Sequence, residues 1–418
     1  MTARIPLIRD GESYLLQDAS GRTVRLIEEI GEGGTYQAYK GVEEVDGVPQ
    51  KVCVILEWNP AYEEDTFSLI QYKREQPGQE LRIVLRSPYD EILSKEKKEK
   101  VYQDELRQQE ENALREVQTA RGLFYDEEKQ ENSPYLYHIE YFTRMGDTYY
   151  LKIDTSEGRT LQSYIKEQPE ERLSMQESLE MIKKLLEILS SLSTRGYIHG
   201  DIKPQNIWLS GQGAAMSQKL LDMGSAFKRQ EYDCQDFESW SETEIIQKAD
   251  YIIKNRGIGC STKGYCNTSM NEFFDAKAAY YGARELAAIN PINFNIRNQY
   301  KAAVRLLETM NELDVSADLY SVVETMFYCV AGRNYKGETE KELEELLHET
   351  NVVCKYFANI LRTNQKAGYT SIEAVQKDLK KLECMLNREA DPEVLLEAIR
   401  GTLPNIQHID PKLFGKIK

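Results

Sequence analysis

The chain contains no pair of cysteines spaced as C-x-x-C. Its seven cysteines are an odd and dispersed set, and the closest pair, Cys260 and Cys266, has no histidine beside it. That pattern argues against a disulfide framework and against a zinc site, and leaves free thiols in a reducing compartment as the expectation. Long apolar runs are missing too. No segment approaches the roughly 20 apolar residues that span a bilayer. Met1-Thr2-Ala3-Arg4 has no apolar stretch behind it, so no signal peptide is expected. Positive charge is in short supply: 53 Lys and Arg against 69 Asp and Glu give a net charge of −16. A nucleic-acid partner or an anionic membrane surface is therefore not expected, and any polyphosphate ligand would need local cations to offset the background. No internal repeat is visible. These absences together predict a cytoplasmic protein. What is present is a soluble, globular balance of 41% hydrophobic and 29% charged residues over 418 positions, enough for a large core and more than one lobe.

The most informative stretch is Tyr197-Ile198-His199-Gly200-Asp201-Ile202-Lys203-Pro204-Gln205-Asn206, followed after 16 residues by Asp222-Met223-Gly224. The first resembles the catalytic loop of protein kinases, H-x-D-x-K-P-x-N, and the second resembles their D-F-G. The resemblance, to a divergent bacterial-type Ser/Thr protein kinase or a pseudokinase, implies roles residue by residue. Asp201 would orient and deprotonate an acceptor hydroxyl. Lys203 would place positive charge on the transferring phosphate. Asn206 and Asp222 would hold Mg2+, or Mn2+, bridging the phosphates of ATP.

Other segments follow in the order that this family implies. Residues 12–40 alternate like strands around Gly31-Glu32-Gly33-Gly34, which resembles the phosphate-covering hairpin, with Tyr36 at the third glycine position. In it Gly31, Gly33 and Gly34 would let backbone amides approach phosphates. KVCVILEWNP, 51–60, reads as a strand rich in β-branched residues. Residues 61–100 look like an insertion, and the charged stretch Lys95 to Glu111 reads as a solvated helix face. The helix continues with a stripe predicted to be buried at Ala113, Leu114, Val117 and Ala120, within which Glu116 matches the helix C glutamate. His138 to Asp154 reads as two strands around Gly146-Asp147, with Ile153 as gatekeeper and Asp154 as first hinge residue. Ser174 to Arg195 is an amphipathic helix with Ile182, Leu185, Leu186, Leu189 and Leu192 on one face. Ala283-Arg284-Glu285 resembles A-P-E, 63 positions beyond Asp222, so a subdomain is expected at about 225–282 beside the substrate groove. Ser316 to Ser321 resembles the start of helix F, whose aspartate binds the catalytic-loop backbone, and Val353 to Leu386 resembles the closing helices.

Several positions depart from the family pattern. The third-strand lysine of V-A-I-K is matched by Leu56, or by Ile55 if the register shifts by one, so Glu116 lacks its expected partner. Lys40 is the nearest substitute in sequence, although a solvent-facing strand lysine is the plainer reading. The two side chains that roof adenine are exchanged in size, Ala38 for the usual valine and Val54 for the usual alanine, which keeps the volume a planar base would need. The floor position holds Trp208, which could stack on adenine, block it, or simply pack. Gly200 replaces the arginine that reads an activation-loop phosphate, which argues against that switch. Ala278 falls at the threonine that precedes A-P-E, and Gly368 at the arginine partner of its glutamate.

The expectation is an α+β, two-lobed protein kinase fold: a lead over 1–19, a small antiparallel lobe with helix C over 20–155, a mainly helical lobe over 156–386 and a helical extension over 387–418, with ATP between the lobes. Three functions stay open. One is a divergent Ser/Thr kinase-like phosphotransferase acting on a protein. The second is a pseudokinase that binds nucleotide or partner proteins through 225–282. The third is a small-molecule kinase, suggested by His199-Gly200-Asp201.

Overall fold

Val52 to Trp58 is a run of apolar side chains interrupted only by Glu57, and it becomes an inner strand buried on both faces. The structure, a computed structural model, describes residues 7–8, 11–32, 36–58, 70–85, 89–126, 131–154, 158–211, 216–234, 236–254, 262, 264–289, 292–349, 351–366 and 368–387. The expected extension over 387–418 lies, beyond its first residue, outside these, as do Gly33, Gly34 and Cys260. The chain divides into two units: Met1–Gly158 with Ser210–Gly224 and Lys254–Gly257, and the remainder. Each corresponds in its architecture to one lobe of the two-lobed, α+β protein kinase fold.

The first unit is built on β1 (Tyr14–Gln17), β2 (Thr23–Glu32), β3 (Tyr36–Val45) and β4 (Val48–Trp58), a hairpin of β5 (Ile70–Lys73) and β6 (Arg82–Leu85), the short α1 (Tyr89–Ile92), the long α2 (Lys95–Phe124), the pair β7 (Tyr125–Asp126) and β8 (Glu131–Asn132), then β9 (Ile139–Met145) and β10 (Thr148–Ile153). Six of the strands form one antiparallel sheet in the order β1-β2-β3-β4-β10-β9. Register fixes its two faces, because side chains alternate along a strand. Ala38 lies opposite Leu56, Lys40 opposite Val54, and Val54 and Leu56 opposite Ile153 and Leu151, so these six share one face. The other face carries Tyr39, Cys53, Ile55 and Tyr150, packed with Leu7, Ile8, Leu16, Leu26 and Phe142.

Glu57 falls on that second face, where it would be an unpaired buried charge without the β5–β6 hairpin. Arg74, just past β5, is 2% exposed in its side chain and forms an ion pair with Glu57, itself 1% exposed. Tyr39 and Tyr150 donate their hydroxyls to the same carboxylate at 3.0 and 2.6 Å, and Arg74 Nε donates to the Gln79 carbonyl. The hairpin is further tied through Asp147, which accepts from the Ile83 amide and the Tyr102 hydroxyl. So the described part of the 61–100 insertion is built into the sheet's outer face.

Helix α2 starts at the Ser94 cap and, at 30 residues, runs roughly 45 Å. It buries Glu105, Gln109, Ala113, Glu116, Val117, Ala120 and Leu123 on one stripe. Leu114, expected within that stripe, is exposed: one residue on from Ala113 it is turned about 100° around the axis.

The second unit contains β11 (Gly158–Thr160), α3 (Leu161–Lys166), α4 (Met175–Thr194), β12 (Tyr197–Ile198), most of β13 (Ile207–Ser210), β15 (Phe227–Lys228), α5 (Glu242–Lys254), α6 (Thr268–Ile289), α7 (Asn293–Asn311), α8 (Val315–Ala331), α9 (Glu340–Leu347), α10 (Asn351–Lys366) and α11 (Ile372–Leu386); β14 (Ser217–Leu220) belongs to the first. Helix α4 opens on a capping box between Ser174 and Glu177 and buries the leucine and isoleucine face that its spacing predicts. Helix α8 is buried almost all round, the signature of a central helix. Helices α5, α6 and α7 share a core of their own: Ile245, Ile252, Phe273, Tyr280, Leu306 and Leu307, joined by Phe227 and Tyr232. No helix among the described residues is long and apolar enough to cross a membrane.

Two stability predictions follow from these buried carboxylates. Arg74→Met leaves Glu57 buried without its cation and is expected to cost about 3–5 kcal/mol in urea unfolding. Adding Glu57→Gln should recover most of that loss. In the second unit Glu324 on α8 is buried, and burial pushes its carboxyl up to about 7 although the Asn364 and Gln365 amides donate to it. The folded state thus holds the proton more tightly than the unfolded chain, so stability falls as pH rises from the ordinary glutamate range through about 7. Glu324→Gln should raise Tm at about pH 8 and make no difference near pH 5, as read by thermal melts.

Candidate active site

The expected site residues fall into two groups, one in each unit. In the second unit, β12 delivers the chain to a loop that closes in a single 3-10 turn, Pro204–Asn206, before β13. Asp318, in the first turn of α8, holds the start of this loop. Its carboxylate accepts from the His199 amide at 2.8 Å and from the Gly200 amide at 2.8 Å. Burial pushes the Asp318 carboxyl above the usual range, while His199 and the two amides pull it back. Aiming two successive amides at one carboxylate takes an unusual backbone, and Gly200 provides it at φ +80°, where a side chain would be strained.

Asp201 follows, buried, with its amide donating to His199 Nδ1 at 3.2 Å. Its carboxylate gathers four donors. Oδ2 accepts from Lys203 Nζ at 2.6 Å and from Asn206 Nδ2 at 3.0 Å. Oδ1 accepts from the Thr262 amide at 3.1 Å and from the Thr262 hydroxyl at 3.0 Å. Lys203 Nζ also donates to Thr262 Oγ1 at 2.6 Å, and Asn206 Nδ2 to the Asp201 carbonyl at 2.8 Å. The Asn206 amide nitrogen is therefore committed, which leaves its oxygen as the group able to hold a metal. Trp208, the expected floor residue, is buried on β13.

Thr262 corrects the alignment of the segment after Asp222. Ala278, placed by sequence at the threonine position, lies inside α6, as do Ala283, Arg284 and Glu285. Arg284 pairs with Asp250 at 3.0 Å and only grazes Glu285 at 3.8 Å. The chain has returned to the catalytic loop sixteen residues earlier than Ala278, because Thr262 supplies the hydroxyl that meets Asp201. The available signal was a Gly-Tyr turn: Gly264 sits at φ +96°, the Tyr265 carbonyl accepts from Ser321 of α8 at 2.5 Å, and the Tyr265 hydroxyl donates to Asn334.

In the first unit, the nucleotide-facing positions expected from sequence, Ala38, Val54 and Ile153, share the sheet face that Leu56 also occupies, and Gly31 on β2 pairs with Ala38. The Asp154 amide donates to the His138 carbonyl at 3.3 Å, and its carboxylate lies 3.6 Å from both Lys51 and Lys152. Leu56, expected from the resemblance to stand where the family has a lysine, is buried and aliphatic. Asp222 stands at φ +60°, a strained conformation for a residue with a side chain, and its Oδ1 accepts from the Gly224 amide at 3.2 Å. Glu116 is buried beside it, and burial, then the Asp222 charge, holds its carboxyl well above the usual range. Two carboxyl groups this close are hard oxygen donors of the kind that could hold a divalent cation. Among the described residues no cluster of three metal-binding side chains occurs, so any cation must draw further ligands from phosphate or water.

The protein kinase domain model matches residues 91–253, a span that takes in α2, the catalytic loop and Asp222. The match spans less than half of the chain and marks that part as similar to a protein kinase domain. Proteins of this class generally use ATP and a divalent metal and act as transferases. Among solved structures, a doubly substituted kinase domain of Mycobacterium tuberculosis PknI is 14% identical at a TM-score of 0.45, covering 88% of this chain and 98% of that one. The unsubstituted PknI kinase domain is 12% identical at a TM-score of 0.42, covering 88% and 98%.

The Thr262 contacts can be tested by themselves. Thr262→Val removes one donor to Asp201 and one acceptor for Lys203, and should lower stability by about 1–3 kcal/mol. Thr262→Ser keeps the hydroxyl and is expected to leave the urea midpoint where it was.

Proposed function

We propose that the protein is a divergent Ser/Thr kinase-like phosphotransferase that moves the γ-phosphate of ATP to a hydroxyl, with Mg2+ or Mn2+. The observation that carries this reading is the joined set of Asp201, Lys203, Asn206 and Thr262, in which each polar group is oriented by another. Asp201 is the group that orients the acceptor hydroxyl and takes its proton once the Thr262 hydroxyl yields Oδ1. Lys203 sets its ammonium against the transferring phosphate. Asn206, through its amide oxygen, and Asp222, through its carboxylate, are the metal ligands. A divalent cation held by Asn206 and Asp222 would offset the negative charge of the phosphates. Gly31, Gly33 and Gly34 cover the phosphates, and Ala38, Val54, Ile153, Asp154 and Trp208 surround the base. The segment 225–282, folded around α5 and the start of α6, is the surface offered to a protein substrate or partner protein. Free cysteines and ATP use together favour the cytoplasm.

Leu56 sets the expected speed. Loss of one preorganised cation costs on the order of 10² to 10³ in rate, so transfer is slow and still measurable. The same residue favours a second reading, a pseudokinase that binds nucleotide without turnover, because Glu116 has no lysine to pair with among the described residues.

The test is transfer from radiolabelled ATP with Mg2+ and then with Mn2+, to the protein itself and to a mixed protein substrate, beside calorimetric titration of ATP. Slow incorporation that disappears in Asp201→Asn, with an unchanged melting temperature, is the expected result. Metal-dependent ATP binding with no incorporation in the wild type would establish the second reading instead.

A further inference from the structure

Helix α2 carries a buried carboxyl that no donor or cation among the described residues answers. Glu116 is 2% exposed, and neither of its carboxylate oxygens has a hydrogen-bond partner among the described residues. Its polar neighbour is a second carboxylate. A Cβ built at Gly224 would stand 3.2 Å from Glu116 Oε2 and 3.1 Å from Asp222 Oδ1, so the two acids converge on one point that a glycine keeps open. The backbone of Asp222 stands at φ +60°. Strain of this kind persists only where the surroundings enforce it, and it clusters at ligand sites. The β4 residue at which the family's pattern has a lysine is Leu56, buried and aliphatic. Two carboxylates turned toward each other, one of them buried and without a hydrogen-bond partner among the described residues, are stabilised either by a proton held on one of them or by a cation bound between them.

We propose that Glu116 and Asp222 together bind a divalent cation, Mg2+ or Mn2+, directly, so that the metal supplies the charge the absent lysine would have given. Two carboxylates and no thiol or imidazole make a hard, oxygen-only site, and Mg2+ is commonly held by one or two carboxylates with water completing its shell. This assignment goes beyond the phosphotransfer reading. There Asp222 works with Asn206 on metal that arrives with ATP, and Glu116 takes no part. Here the cation binds before nucleotide and Glu116 is a ligand. Gly224 acquires a reason as well, since any larger residue would place carbon between the two acids.

The experiment is Mn2+ titration of the full-length, nucleotide-free protein, read by the electron paramagnetic resonance of free Mn2+. The wild type is expected to bind one Mn2+ ion. Glu116→Gln and Gly224→Ala should each weaken it on the order of tenfold or more. Leu56→Lys, which leaves both carboxylates intact, should weaken it as much, because its ammonium competes for Glu116. Asn206→Ala should leave it unchanged in the absence of ATP. Wild-type protein that binds no Mn2+ without ATP would overturn the assignment. So would a Glu116→Gln variant with wild-type affinity, or an Asn206→Ala loss as large as that of Glu116→Gln. Binding is measured here without turnover, so a protein that holds Mn2+ through Glu116 and transfers no phosphate keeps this assignment while losing the other.

Discussion

A carboxylate on a buried helix, Asp318 on α8, accepts two consecutive backbone amides and thereby sets the shape of the catalytic loop. Charge-assisted hydrogen bonds of this kind are stronger than neutral ones, and burial removes the water that would compete for them. Helix α8 cannot shift easily, because it is packed on nearly every side. The loop inherits that rigidity. Gly200 can take its left-handed backbone, Asp201 then enters the site buried, and the 3-10 turn at Pro204 brings Asn206 back onto the same carboxylate. The family's arginine at this position would have carried a regulatory contact as well as a backbone conformation. Here glycine keeps the conformation and gives up the contact.

The first unit shows how period-two alternation separates structure from chemistry. Strand β4 carries an acid and an aliphatic side by side, Glu57 and Leu56, and the pleat sends them to opposite faces. On the outer face the inserted hairpin brings Arg74 to Glu57, and two tyrosine hydroxyls complete the network. The inner face carries Leu56, where the resemblance implies a cation, together with Lys40 on the neighbouring strand. The lobe's buried ion pair is thus on the side away from the expected nucleotide position, and Glu116 is left with Asp222 as its charged neighbour.

Much of the fold was legible in the sequence. The strands around Gly146 and the apolar face of α4 follow from local pattern, which side-chain periodicity fixes before any tertiary contact forms, whereas the aspartate at Asp318 was expected from the resemblance alone. The segment beyond Asp222 was harder. Ala283-Arg284-Glu285 carries the right letters, yet it lies in a helix whose neighbours are α5 and α7, and the pattern there serves helix packing. Thr262 was missed because one threonine in a polar stretch has no periodic signature. Its role exists only through Asp201, 61 residues away in the chain.

The sequence by itself determined which polar residue types stand along the chain and in what order, from His199 to Asn206 and on to Asp222, since these are properties of composition and spacing. Only the tertiary structure decided which hydroxyl meets Asp201, where Glu57 finds its cation, and that Glu116 and Asp222 converge over Gly224. The physical reason is the same in each case. A buried charge is compensated by whatever the fold brings within a few ångströms, and that partner is set by packing between distant segments.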